Sequence, residues 1–281
     1  MDKNAELTEQ QKQAWSSAAS GWERWTDWFE KSSGDLSDWL CENAGVRPGA
    51  RALDLACGGG EPSTTIAARV LPGGSVVSTD LSPDMVAATV RRAQRLGRTN
   101  LTGQVADAQD LPFEDASFDA VTCRFGIMFC PQPERAAAEI HRVLKPGGRF
   151  AVAVWDMPAT NPFFMVLAGI LAKYVEMPPP DAKAPGLFRL APPGELENLF
   201  TGAGFSDLKI ESRPMLWAYD SVDQYWQIQT DLAAPLRTAM KNMTPEEVER
   251  LKADVFVGLQ PFTKDGRPEL AAVPLCATGS K

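Results

Sequence analysis

Apolar residues in the first half of the chain come in short bursts that end on turns or acids. This rhythm predicts alternating strands and helices. Leu53-Asp54-Leu55 is a brief strand that runs into Ala56-Cys57-Gly58-Gly59-Gly60 and then a helix. Ser75-Val76-Val77-Ser78-Thr79 is a second strand, stopping at Asp80. Ser82 and Pro83 then supply the N-cap and first position of a helix. Residues 103–108 form a third unit around the acid Asp107, and residues 118–123 a fourth. Ala136, Ala137, Ile140, Val143 and Leu144 share one helical face, and Lys145-Pro146-Gly147-Gly148 is a stop signal. Residues 149–155 are nearly all apolar, as in a strand buried on both faces.

The second half is less regular. Prolines crowd residues 157–195, including Pro178-Pro179-Pro180 and Pro192-Pro193, around an apolar stretch, 163–175, that reads as a buried helix. Residues 194–200 and the turn Gly202-Ala203-Gly204-Phe205 lead to a strand at 208–219. An insertion at 220–262 follows. It carries Tyr225, Trp226 and Ile228 on one helix, and a capping box at Thr244-Pro245-Glu246-Glu247 opens another. Val248, Leu251, Val255, Phe256 and Leu259 give that second helix an apolar face. Residues 270–276 are the final strand, antiparallel to the sixth. The expected sheet has seven strands, with the inserted helices above its C-terminal edge, where open α/β sheets bind ligands.

The glycine turn is the first chemical clue. Glycine lets backbone approach a ligand and adopt positive φ, and the first amides of the next helix are left free to face it. Dinucleotide sites use such turns too, but they want a third glycine three residues after the second; here Glu61-Pro62-Ser63 follows Gly60. Asp80 lies about twenty residues past the turn, where an acid suits both hydroxyls of a ribose. Asp107 ends the third unit; capping the next turn is its alternative role.

This order of glycine turn, ribose acid, third acid and Leu-Lys-Pro-Gly-Gly resembles the class I S-adenosylmethionine-dependent methyltransferases over residues 45–156. Within them it is closest to the ubiquinone, menaquinone and small-molecule group. The resemblance implies a Rossmann-like α/β fold: a mostly parallel seven-stranded sheet with an antiparallel last strand, helices on both faces and a helical lid. It divides the chain into an N-terminal helical cap (1–44), a cofactor-binding core (45–156) and the remaining core (157–281) with lid insertions near 157–195 and 220–262. It implies S-adenosylmethionine as cofactor, S-adenosylhomocysteine as product, and a cofactor site of Ala56, Cys57, Gly58, Gly60, Asp80, Leu81, Asp107, Ala108 and Arg124. Two departures, Ala56 for the first glycine and Gly59 inside the turn, keep small side chains where the cofactor approaches.

The N-terminal segment is rich in tryptophan: Trp15, Trp22, Trp25, Trp28 and Trp39. Either these pack a helix on the sheet, or they close over the cofactor, where aromatics exclude water and can face a sulfonium. Trp15, Trp22, Phe125, Trp155 and Tyr225 are the expected acceptor pocket. No base is evident. His141, the sole histidine, falls on a helix that the resemblance places against the sheet away from the acceptor, which leaves Tyr225, Tyr219, Tyr174 and Asp156 as candidate catalytic residues.

Composition narrows the partners. A net charge of −8 argues against a phosphate backbone, and Arg124-Phe125-Gly126-Ile127 lacks the Asn/Asp-Pro-Pro-aromatic run of nucleobase-amine methyltransferases. A lone histidine and no Cys-x-x-Cys argue against a metal. The apolar run 163–172 is too short to span a bilayer. The polar start, 1–13, is not a signal peptide, so the five cysteines read as reduced thiols of a cytoplasmic protein, with a homo-oligomer left open. The expected function is methyl transfer to a small, fairly apolar metabolite, as in bacterial secondary metabolism. A protein or nucleic-acid methyltransferase, and a cofactor-binding module without turnover, are the alternatives.

Overall fold

The computed structural model describes residues 3–176, 181 and 183–281; the run Pro178-Pro179-Pro180 lies outside them. The chain opens with α1 (Lys3–Asn43), which kinks at Ser33 (φ −134°, ψ 16°). Then come β1 (Arg51–Leu55), α2 (Ser63–Arg69), β2 (Ser75–Asp80), α3 (Pro83–Arg95), β3 (Leu101–Val105), β4 (Phe118–Arg124), α4 (Pro133–Val143) and β5 (Leu144–Trp155). The second half adds α5 (Pro162–Leu171), α6 (Glu195–Gly202), β6 (Ser206–Ser212), β7 (Met215–Ala218), α7 (Val222–Leu232), α8 (Ala234–Met240), α9 (Pro245–Leu259), β8 (Thr263–Lys264), β9 (Arg267–Ala272) and β10 (Pro274–Ser280).

The main sheet has seven strands in the order β3-β2-β1-β4-β5-β10-β6. Strands β1 to β5 pair in parallel, and β10 runs antiparallel between β5 and β6. This is the predicted α/β architecture. The order reverses between β1 and β4, so their C-terminal ends open the crevice in which such sheets bind ligands. Apolar side chains of the central strands, among them Leu53, Val121, Phe150 and Val152, are buried without remainder.

The last strands differ from the sequence expectation. The stretch 208–219 is two strands, broken at Arg213-Pro214, and 270–276 straddles two more, broken at Val273. Proline has no N–H to give to a ladder. At Pro214 and Pro274 the β6–β10 hairpin therefore leaves the main sheet and continues as β7 against β9. With β8 these form a separate three-stranded sheet. The strand that closes the main sheet is thus Pro274–Ser280, and it pairs with β5 as well as β6. Fully buried Asn161 fills the corner: its amide donates to the carbonyls of Asp156 (3.0 Å) and Val273 (3.3 Å), and its oxygen accepts the Val273 N–H (2.8 Å).

Three smaller differences remain. The stop Lys145-Pro146-Gly147-Gly148 lies within β5, whose register against β4 jumps between Phe118 and Ala120. Helix α5 ends at Leu171 instead of 175. The insertion 220–262 carries α8 between its two expected helices, and α9 opens on the expected capping box, with Thr244 and Glu247 bonded in both directions.

Candidate functional site

The glycine turn leaves β1 at Ala56, whose φ of +53° is rare for a residue with a side chain, and passes through Gly58 (φ +52°) and Gly60 (φ +110°). Cys57 N–H donates to the Thr79 carbonyl (2.9 Å), which fixes the turn to β2. Close packing explains the glycines. A Cβ on Gly59 would sit 2.4 Å from Thr26 Oγ1 of α1, and one on Gly60 would sit 2.9 Å from Arg92 Cδ. The amides expected to be free are partly spent. Pro62 has none, and the Thr64 N–H donates to the Gly60 carbonyl (2.9 Å).

Asp80, at the end of β2, accepts the Gly58 N–H (3.1 Å) on one carboxylate oxygen and the Ser82 N–H (2.9 Å) on the other. Burial pushes its pKa up to about 6 against these two hydrogen bonds. Leu81 follows, half-buried. Asp107 and Ala108 are also half-buried, just beyond β3. One Asp107 oxygen accepts the backbone N–H of Gln109 (2.9 Å), and both oxygens accept its side-chain amide (3.0 Å each).

Arg124 ends β4 beneath the kink of α1, where its Nη1 donates to Ser33 and Ser37 Oγ (3.1 Å each). Burial lowers its pKa, opposed by Glu61, Asp54 and Glu30. Asp54 was not singled out from sequence. It is fully buried in β1, accepts the hydroxyls of Ser63 and Thr122 (2.6 Å to the latter), and burial raises its pKa to about 6. The signal was there: an acid inside an otherwise apolar strand one step before the turn.

Above this edge lies a network of aromatic rings. Trp15 meets Trp22 (6.2 Å between centroids), Trp22 stacks on Phe29 (4.6 Å), and Phe29 meets Trp217 (5.2 Å). Trp217 meets Trp155 (5.8 Å), and Trp155 stacks on Phe125 (3.9 Å, 7°). A branch runs from Trp217 through Trp28 and Tyr219 to Tyr225. All five expected pocket residues belong to it. Phe29 and Trp217 were missed. Trp217 reaches the network only because the hairpin bends at Pro214.

Among the candidate catalytic residues the structure brings together Tyr219 and Tyr225 and leaves the others apart. Both tyrosines are buried, and burial raises both pKa values, so each hydroxyl is a hydrogen-bond donor and a poor base. The Tyr174 hydroxyl donates to Asp254 (2.8 Å), outside the aromatic network. Asp156 accepts from Met157 N–H and Ser212 Oγ (2.7 Å each) and braces β5 against β6. His141 lies in the last turn of α4 with its ring edge on Phe205 (5.0 Å), on the side of the sheet where α4 packs against α6.

Helix α1 carries half of this roof and is strapped down on two sides. Glu23, Asp27 and Glu30, at helical spacing, meet Arg91, Arg92 and Arg95 of α3. On the other side Arg24 and Trp25 both donate to Asp231 of α7 (2.9 and 2.7 Å), and Trp28 donates to the Ala218 carbonyl (3.1 Å). Gly21 lets the helices meet, since a Cβ there would lie 2.7 Å from the Asp231 carbonyl oxygen. Among the described residues there is no cluster of potential metal ligands and no helix long and apolar enough to cross a membrane.

Comparison with known proteins gives this site a family. Residues 53–152 match the model of a methyltransferase domain. A demethylmenaquinone methyltransferase of Symbiobacterium thermophilum is 33% identical over 210 residues, covering 67% of this chain and 76% of that protein. An uncharacterized protein of Mycobacterium tuberculosis is 41% identical over 126 residues; the match spans 45% of this chain and 44% of that relative, less than half its length. The YcgJ protein of Bacillus subtilis shares the fold, with a TM-score of 0.58 at 20% identity over 88% of this chain and 98% of that one. With its glycine turn, its acids after β2 and β3 and this relationship, the chain belongs to the S-adenosylmethionine-dependent methyltransferases.

Proposed function

We propose that this chain transfers the methyl group of S-adenosylmethionine to a small, fairly apolar metabolite. The observation that supports it best is the meeting of two surfaces: a polar edge carrying Asp80 and the glycine turn, and a roof of linked Trp, Phe and Tyr rings. The residues at the edge fit the cofactor. The turn Ala56 to Gly60 takes the methionine portion, with Arg124 beside it; Asp80 takes the ribose; Asp107 and Ala108 take the adenine. Bound there, the sulfonium supplies an activated methyl group. The chain's own residues then have mainly to place an acceptor and exclude water, which is the work of Trp15, Trp22, Phe125, Trp155 and Tyr225. Buried Tyr219 and Tyr225 orient the acceptor as donors. The reading extends to an enzyme of secondary metabolism in the cytoplasm, the second part supported by five free cysteines, four of them buried.

Calorimetry tests the first half of this. The purified protein is expected to bind S-adenosylhomocysteine. Asp80→Ala loses bonds to a charged acceptor worth about 1.5–3 kcal/mol each, a tenfold or greater loss of affinity. Unchanged affinity in the variant, or preference for a nicotinamide dinucleotide, overturns the assignment. A metabolite screen that reads out the demethylated product tests the second half: turnover only on a peptide or a nucleic acid would replace the small-molecule acceptor.

A further inference from the structure

Gln109 is the most tightly held polar side chain near the adenine end of the site, and neither the sequence motif nor the family resemblance gave it a role. It is 7% exposed. Its amide oxygen accepts the backbone N–H of Gln132 (2.7 Å), the N-cap residue of α4. That bond fixes the orientation of the amide, because only its oxygen can accept. The NH2 end is therefore turned to Asp107, where it reaches both carboxylate oxygens at 3.0 Å. The backbone N–H of Gln109 adds a third bond to Asp107 (2.9 Å). A half-buried carboxylate held at both oxygens by one amide cannot swing about its χ2; Oδ1, which takes both Gln109 bonds, is filled, and Oδ2 keeps one further lone pair for a donor.

We propose that Gln109 is the positioning residue for adenine recognition: it locks the Asp107 carboxylate in the one orientation that accepts the exocyclic amine. By the same amide it ties that carboxylate to the β4–α4 connection, 125–132, which carries Phe125 and Phe129 into the aromatic network. The proposal rests on the cofactor assignment above.

Two variants separate positioning from scaffolding. Gln109→Glu keeps an oxygen for the Gln132 N–H but loses the donor to Asp107 and sets a second carboxylate against it. Gln109→Met removes both ends at similar volume. Calorimetry on the full chain compares S-adenosylhomocysteine with its inosine analogue, whose carbonyl replaces the exocyclic amine. The wild type is expected to prefer the adenine ligand by about tenfold or more, the equivalent of one charge-assisted hydrogen bond. Both variants are expected to bring that preference to within about threefold, and Gln109→Glu, whose buried carboxylate repels Asp107, is expected to melt below the wild type while still binding both ligands. A preference that survives in Gln109→Glu overturns the proposal. So does an equal loss of affinity for both ligands, which would mark a scaffold residue. If the wild type binds neither ligand, the cofactor assignment falls and this proposal with it; if it binds the adenine ligand without preference, only the proposal falls.

Discussion

The two sides of the site treat their polar groups in opposite ways. On the sheet side Asp54 and Asp80 are buried, yet every one of their carboxylate oxygens has a donor: Ser63 and Thr122 for one, the Gly58 and Ser82 amides for the other. On the roof, the indole N–H groups of Trp22 and Trp217 and the Tyr225 hydroxyl are buried without a partner among the described residues. The Tyr219 hydroxyl lies beside Gln229 but outside hydrogen-bonding geometry. A buried polar group left unpaired costs about 1–3 kcal/mol. These two sheet-side carboxylates are thus finished before any ligand arrives, although Ser78 Oγ on β2 is buried without a partner among the described residues, while the roof leaves several donors unpaired. Indoles can only donate, and the tyrosines hold their protons, so the roof offers hydrogen-bond donors and no base.

The largest expected break in this contrast is on the finished side. A Cβ on Gly126 would lie 2.3 Å from Ala56 Cβ and 2.9 Å from Cys123 Sγ, between two strands that cannot part. Gly126→Ala is expected to destabilise the protein by about 3 kcal/mol, the upper end of overpacking, measured by chemical denaturation. A variant as stable as the wild type would mean that the turn and the end of β4 are loosely joined.

Acidity gives the next effect. With its pKa pushed up to about 6, Asp80 is ionised at pH 7 and substantially protonated at pH 5. Only the carboxylate accepts both ribose hydroxyls. Affinity for S-adenosylhomocysteine is therefore expected to fall as pH drops through about 6, approaching tenfold per pH unit below it, and Asp80→Asn is expected to flatten the profile. The sign for folding is the reverse. A carboxylate whose folded pKa is raised adds stability at acid pH, and this contribution is lost as pH rises from about 4 to about 6. Affinity that is flat from pH 5 to 8 would remove Asp80 from the ribose.

The smallest effect belongs to the roof. Tyr225→Phe removes a hydroxyl without a partner among the described residues, and Tyr219→Phe one that lies beside Gln229. Each is expected to leave stability within about 1 kcal/mol of the wild type or above it. The same changes are expected to weaken an acceptor found by the metabolite screen while leaving S-adenosylhomocysteine affinity unchanged. A loss of several kcal/mol in folding stability would show that these hydroxyls are structural.

The sequence by itself determined the strand–turn–helix alternation of the first half, the glycine turn, and Asp80 at its strand end; Asp107, expected to end a strand, lies two residues past β3. These features are local. A turn that needs positive φ at Gly58 and Gly60, and strands that must be apolar because helices cover both faces, leave their mark within a few residues. Even the capping box at Thr244 was legible, since its two hydrogen bonds span three residues. Tertiary structure alone decided what depends on residues far apart. Pro214 and Pro274 bend one hairpin together, and so carry Trp217 into the roof. The acids of α1 find arginines of α3 about sixty residues on, and Asp231 more than two hundred residues away holds Arg24 and Trp25. The Gln109 amide is oriented only when Gln132 arrives at its other end. Local sequence sets backbone conformation. Which side chains share a site is set by the packing of elements whose separation along the chain leaves no periodic trace.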